Sequence, residues 1–275
     1  MGASGMNHDK HRAFSLLELL VVIALIILVI TIVMVAVSRF QKSARNMQCL
    51  SNMKQLMMAH AGYSHDNNGH FCSADTGYQY YDYLDPDSDD YGAWWVKTTV
   101  PNGGYLNGRE TLAALQEGKL WDYIGDARIY RSPQDYTDHI RSYAISGFLG
   151  HGESADWGGP ESTIVGSMSR IFQPSTTIAM VPENDTRGHN INSWGIDIPS
   201  NSIWVDRPAI FQEKHLNISF SDGHVERYEF AGTSSNQSLG TIQEVMTAPG
   251  QYYNVYFPGP DYDWFKKRIL PRIDY

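Results

Sequence analysis

FSLLELLVVIALIILVITIVMVAV, residues Phe14 to Val37, decides how the rest of the chain is read. From Leu19 to Val37 only Thr31 interrupts the apolar run, and at about 1.5 Å per residue this length of helix spans about 28 Å, the thickness of a bilayer's hydrocarbon core. The stretch reads as one membrane span. A secretory signal has a shorter apolar region, about 7 to 15 residues, and a small-x-small cleavage site after it, so the span is expected to stay in the mature protein. A soluble protein would have to bury a helix this long and this apolar, which calls for a far larger body around it. One charge, Glu18, sits near the start, where a bilayer makes an unpaired carboxylate costly.

Upstream, residues 1–13 (MGASGMNHDKHRA) form a polar leader ending in Lys10, His11 and Arg12. Downstream, neither proline nor glycine breaks the chain before Gly62, so the helix is expected to continue as an amphipathic segment over residues 38–62. Phe40, Ala44, Met47, Leu50, Met53 and Met57 recur every three or four residues as its apolar stripe, with Arg39, Lys42, Arg45, Asn52 and Gln55 largely elsewhere. Gly62 and then HDNNG, His65 to Gly69, supply the stop.

Residues 63–275 read as a globular body of short elements. Glu110 to Ile124 predicts a short helix or helix pair broken at Gly118. Strands are expected at Arg141–Ser146, Thr176–Val181, Ser202–Val205, Leu216–Ser221, His224–Phe230 and Tyr252–Phe257. Leu216, Ile218 and Phe220 alternate with polar residues, predicting a half-buried strand, and Asp222-Gly223 predicts a two-residue hairpin turn that sets Phe220 against Val225. That register leaves Arg227 opposite Ile218, a mismatch that a bulge, or an end to the pairing, would relieve, restoring burial to Tyr228 and Phe230. Without strand-helix alternation, the class is α+β: a long N-terminal helix packed on an antiparallel sheet.

Charge is unevenly divided. Six of the 21 Lys and Arg fall in residues 1–60 beside Asp9 and Glu18, leaving 15 basic against 28 acidic residues and a net charge of −13 downstream. This argues against nucleic acid as a partner. The basic segment after the span faces either lipid headgroups or an acidic neighbour. Cys49 and Cys72 are too few for a cysteine-built zinc site; they fit a disulfide between helix and following loop if the body is exported, and fit two free thiols equally. Asp85, Asp87 and Asp89 alternate like the start of a calcium loop, but Asp90 stands where Gly is needed and Val96 where Glu is needed. What survives is an irregular calcium site, set against a solvated acidic loop. Asn184, Asn217 and Asn236 head Asn-x-Ser/Thr triplets. No motif of a metalloprotease, α/β-hydrolase, dinucleotide fold or P-loop occurs, and no catalytic residue or cofactor is assigned.

The basic leader, the small residue Ala13 and then Phe14-Ser15-Leu16-Leu17-Glu18 before the apolar helix resemble the prepilin-type cleavage and methylation segment of type IV pilins and type II secretion pseudopilins. The resemblance implies a cut by prepilin peptidase between Ala13 and Phe14, where Gly usually precedes the cut, and methylation of the new amino terminus. It gives Glu18 the fifth mature position, one helical turn from the new amine, as an assembly contact. It further implies a pilin-like fold, other pilin-like subunits as partners through the N-terminal helix, and a single-pass bacterial inner-membrane location with a cytoplasmic N-terminus. The body then lies in the periplasm or at the cell surface. The remainder is similar to prepilin-like proteins of planctomycetes and their relatives, which carry Cys-x-x-Asn-x-Lys-Gln, matched by Cys49, Asn52, Lys54 and Gln55. They also carry a late His-x9-Asp-Gly, to which His215 and Asp222-Gly223 correspond with six intervening residues. RSPQD, Arg131 to Asp135, looks like their Cys-Pro-Ser site with Ser132 for Cys. The competing class is a permanently tethered surface module or enzyme binding glycan through the aromatic loop Tyr78–Trp95.

Overall fold

The computed structural model describes residues 15–74, 76, 94–97, 111–137, 139–150, 164–183, 193–198, 203–211, 214–231 and 255–270. The chain divides into two compact units, Met1–Ala44 and Arg45–Tyr275.

The first unit holds the start of helix α1, which runs from Leu16 to Asp66. Each large apolar side chain from Leu16 to Phe40 is at least 42% exposed. Water penalises that much bare apolar surface, whereas lipid tails do not. The polar side chains along it are absorbed by the helix itself: Thr31 Oγ1 donates to the Ile27 carbonyl at 2.8 Å and Ser38 Oγ to that of Val35 at 2.9 Å. Such back-bonding spares a hydroxyl from standing unpaired in hydrocarbon.

The second unit is α+β. From Arg45 onward α1 buries Cys49, Asn52, Met53, Leu56, Met57, Ala59, His60, Tyr63 and Ser64, spaced as one face of a helix. The expected stripe is therefore corrected: of its six members Met53 and Met57 face the core, Leu50 is half-buried, and Phe40, Ala44 and Met47 are exposed. Polarity misled the phase. Cys49, Asn52 and His60 belong to the inner face because the body offers them partners, so ranking by hydrophobicity alone rotated the helix. The helix also passes through Gly62, where the Tyr123 ring lies 3.0 Å from the place a Cβ would occupy, and stops at the predicted HDNNG. There Asn68 and Gly69 take positive φ (56° and 86°), and the Gly69 amide donates to the Ser64 carbonyl at 2.7 Å.

After the helix come α2 (Leu112–Gln116), capped by the Thr111 side chain, and α3 (Trp121–Ile124). Gly118 separates them because a Cβ there would sit 2.2 Å from the Trp95 carbonyl oxygen. Among the described residues six strands follow at the expected places: β1 (Tyr143–Ile145), β2 (Ile178–Pro182), β3 (Ile203–Trp204), β4 (His215–Phe220), β5 (Val225–Glu229) and β6 (Val255–Tyr256). Strands β1-β2-β4-β5 form an antiparallel sheet in that order, and β3 pairs with β6 antiparallel in a small second sheet. The four-stranded sheet is a middle layer. Tyr143, Ile145, Ala179 and Met180 join the core beside α1, while Ala144, Ile178, Val181, Leu216, Ile218 and Phe220 join a second core. Trp194, Trp204, Phe257, Tyr262 and Phe265 complete that second core. A register shift between Ile178 and Met180 lets the adjacent Ala179 and Met180 share one core.

Two strand expectations change. β4 is buried on both faces, because Asn217 and Ser219 are covered as fully as their apolar neighbours. The hairpin loop is three residues, not two: Phe220 N–H donates to the His224 carbonyl, Gly223 N–H donates back to Phe220, and Gly223 has φ 88°. Pairing therefore slides by one residue, Ser219 meets Val225, and Arg227 meets Asn217 instead of Ile218. Nothing lies within 4 Å of a Cβ built at Gly223, so Gly223→Ala carries only the positive-φ cost. It should lower body stability by about 1 kcal/mol in a thermal melt, with Gly223→Asn costing less.

Helix α4 (Pro260–Ile269) closes the second core. Pro260 opens it, Asp261 and Asp263 lie in its first turn and Lys266, Lys267 and Arg268 in its last, matching the helix dipole at both ends. Asp261 Oδ1 accepts from Tyr228 Oη at 2.7 Å and from the Ala231 amide at 2.9 Å, which pins α4 to β5.

Candidate functional site

Ala13 and Phe14 lie outside the described residues, and the site at the N-terminus is therefore built from Ser15 and Glu18. Ser15 Oγ accepts the Glu18 amide at 3.1 Å, while the Glu18 carboxylate accepts the Ser15 amide at 2.9 Å and the Ser15 hydroxyl at 2.8 Å. This reciprocal pair is a capping box, which the Ser-x-x-Glu spacing signals in the sequence. The box holds the carboxylate over the first turn, where unsatisfied amides carry the positive end of the helix dipole. Glu18 thus has a partner within its own helix before any other group is considered.

The second group of motif residues splits by direction. Cys49 is buried, and its Sγ accepts the Tyr143 hydroxyl at 3.4 Å; burial holds the Tyr143 phenol well above its usual range. Asn52 is also buried and donates through Nδ2 to the carbonyls of Arg128 (3.2 Å) and Arg131 (3.0 Å), while Gln48 donates to its Oδ1 at 2.8 Å. Lys54 and Gln55 face solvent, and Gln55 Nε2 bonds back to the Ser51 carbonyl at 3.2 Å. Of these four motif residues, Cys49 and Asn52 are therefore the two that turn into the body.

What Asn52 grips is the RSPQD loop. Beside that loop Ser142 Oγ accepts the Ser132 amide at 3.0 Å and donates to Asp135 Oδ2 at 2.5 Å, and Asp135 Oδ1 accepts the Thr137 amide at 2.8 Å. Ser132 is buried in this network. Its role here is to close a turn, with its own Oγ accepting the Gln134 amide at 3.2 Å. Asn46, Gln134, His215 and Asn217 then meet around a cavity of about 10 Å³, room for one water molecule. Gln134 Nε2 is buried there without a hydrogen-bond partner, and Asn217 Nδ2 donates to Asn46 Oδ1 at 2.9 Å. Asn217 is 5% exposed, so its sequon nitrogen is committed to the fold.

His215 and Asp222-Gly223, read together from the late motif, are parted by the fold. His215 starts β4, half-buried, with Nε2 3.6 Å from Glu229. Asp222 and Gly223 form the hairpin tip at the other end, where Asp222 Oδ1 accepts the His224 amide at 3.1 Å and meets His224 Nδ1 at 2.5 Å. The His224 ring stacks on Phe220, with centroids 4.3 Å apart. Among the described residues no three His, Cys, Asp or Glu side chains converge as metal ligands. Asp85, Asp87 and Asp89 and nearly all of the aromatic loop lie outside those residues. Cys49 and Cys72 are two buried free thiols, not a disulfide, with burial raising the Cys72 thiol well above its usual range. The Cys49 thiol is turned to Tyr143 and so is occupied by the sheet.

No curated protein and no solved structure matches the chain. Residues 8–36 do match a family, described as the prokaryotic N-terminal methylation motif, and that match spans the basic end of the leader, Phe14, the Ser15–Glu18 box and all but the last residue of the apolar run. The chain thus carries a prepilin-type N-terminal segment, joined through one continuous helix to an α+β, pilin-like body.

Proposed function

We propose that the chain is a membrane-anchored pilin-like or pseudopilin-like structural subunit. The observation that carries this reading is the coincidence of a methylation motif at residues 8–36 with a bare apolar helix and a body folded on that helix's own continuation. Prepilin peptidase cuts between Ala13 and Phe14 and the new terminus is methylated. The anchor lies in the bacterial inner membrane with the N-terminus cytoplasmic, and the body stands in the periplasm or, after assembly, at the cell surface. Subunits associate through their N-terminal helices in a heterologous, helical array that need not close, as in a fibre or pseudopilus. The chemistry asked of the protein is structural, not catalytic.

Glu18 sits where both events meet. Its carboxylate, held by Ser15, is placed to take a neighbour's cationic terminus in a medium where neither charge is stable alone. Mass determination of the mature N-terminus should return N-methyl-Phe14, and an intact Met1 terminus in functional protein would overturn the proposal. Glu18→Leu should abolish higher assemblies while leaving the near-ultraviolet circular dichroism of the body unchanged; a fully assembling Glu18→Leu protein would reduce the segment to a tether.

A further inference from the structure

Immediately beyond the span α1 becomes basic. Arg39, Lys42 and Arg45 are all exposed and lie two, five and eight residues after Val37, about 3, 8 and 12 Å along the helix. A polar headgroup layer is about 5 to 8 Å deep on each side of a bilayer, so the first two are at headgroup depth and the third within a side chain's reach of it. Three-residue spacing spreads them over about a third of the helix circumference, a collar rather than a point. The chain beyond these residues carries −13 over residues 61–275, a charge that an anionic leaflet repels.

We propose that Arg39, Lys42 and Arg45 form a docking collar for anionic phospholipid headgroups on the leaflet at the Val37 end of the span, deepening the function above and resting on its reading of a membrane-spanning α1. Orientation does not explain them. With the N-terminus cytoplasmic, the basic-residue bias of membrane insertion would favour the other flank, yet that flank has only Lys10 and Arg12. Acidic groups of a second copy are the rival occupant, but they reach headgroup depth only once subunits assemble, whereas lipid phosphates are always there.

The full-length chain, reconstituted into phosphatidylcholine vesicles, is probed with spin-labelled phosphatidylglycerol and spin-labelled phosphatidylcholine. The wild type should retain the anionic probe about fivefold more strongly, the value of one basic residue near a lipid surface, and lose that preference at high salt. Arg39→Gln/Lys42→Gln/Arg45→Gln should erase it, and Lys10→Gln/Arg12→Gln should leave most of it. Equal retention of both probes by the wild type, or a preference unchanged in the triple variant, overturns the collar. Oligomers that the triple substitution dissolves without any lipid preference in the wild type overturn it in favour of the second copy. Should the chain fail to float with vesicles or be stripped from them by alkali, the membrane reading itself falls, before the lipid probes are read.

Discussion

Trp204→Ala is expected to lower the stability of the body by about 3 to 5 kcal/mol, the range for emptying a fully buried tryptophan site. Trp204 is 0% exposed at the end of β3, and its ring meets Trp194, Phe230, Tyr262 and Phe265 at centroid distances of 5.0 to 6.4 Å. It is thus the point where the small sheet, the central sheet and α4 converge. Its Nε1 also donates to the Phe257 carbonyl at 3.2 Å, tying the segment after β6 to the same point. Removal leaves a void that three elements cannot fill together, since each is fixed by its own hydrogen bonds. For a body of this size the loss corresponds to a melting temperature lower by about 10 °C, read from near-ultraviolet circular dichroism of the full-length chain in detergent. Trp204→Phe keeps most of the packing and forfeits the Nε1 bond, so its cost should be about 1 kcal/mol. Equal and small losses in both variants would mean that the second core does not hold the body together.

Trp204 also illustrates what the sequence disclosed. Its strand was legible, as were the other five, because Gly, Pro and Asp bracket short β-branched and aromatic runs whose limits depend on local chemistry. The apolar half of α1 and its stop at HDNNG were legible for the same reason. The face of α1 beyond Arg45 was not, because Asn52 and His60 are turned inward by partners far along the chain, the carbonyls at Arg128 and Arg131 and the segment at Phe71 and Cys72. Periodicity can assign a helix but not which of two faces is covered when the covered one is partly polar. The hairpin failed by one residue: Asp-Gly serves a two-residue turn and a three-residue loop alike, and the burial of Phe220 against the second core selects the latter. By contrast, α4 and the Ser15–Glu18 box could have been read. Gly259-Pro260 with acids first and bases last is a helix signature, and Ser-x-x-Glu is a cap, both set by neighbours in the chain. Of the site residues, the late His and Asp-Gly are placed at opposite ends of a hairpin, while Asn52 and RSPQD are brought together.

The inward turn of His60 makes acid the second strong perturbation. His60 is 1% exposed, stacks on Phe71 with centroids 4.8 Å apart, and has an unpartnered Nε2. Desolvation dominates over its hydrogen bond with the Cys72 backbone and lowers its pKa from 6.5 to about 4. The folded body therefore resists a proton that the unfolded chain accepts near pH 6.5. The stability is fully present above that pH and declines as pH falls toward 4, by about 3 kcal/mol in all, at about 1.4 kcal/mol per pH unit of difference. Urea titrations of the full-length chain in detergent at pH 7.0, 5.5 and 4.5 should show this loss on top of a carboxylate background. His60→Phe keeps a ring against Phe71 and removes the titration, so the variant should lose about 2.4 kcal/mol less than the wild type between pH 7.0 and 4.5. Parallel pH profiles for the two proteins would show that His60 accepts its proton without leaving the core. A steeper wild-type profile would identify the α1–Phe71 junction as the part of the body that acid opens first, since it is there that the helix must part from the loop to hydrate the imidazolium.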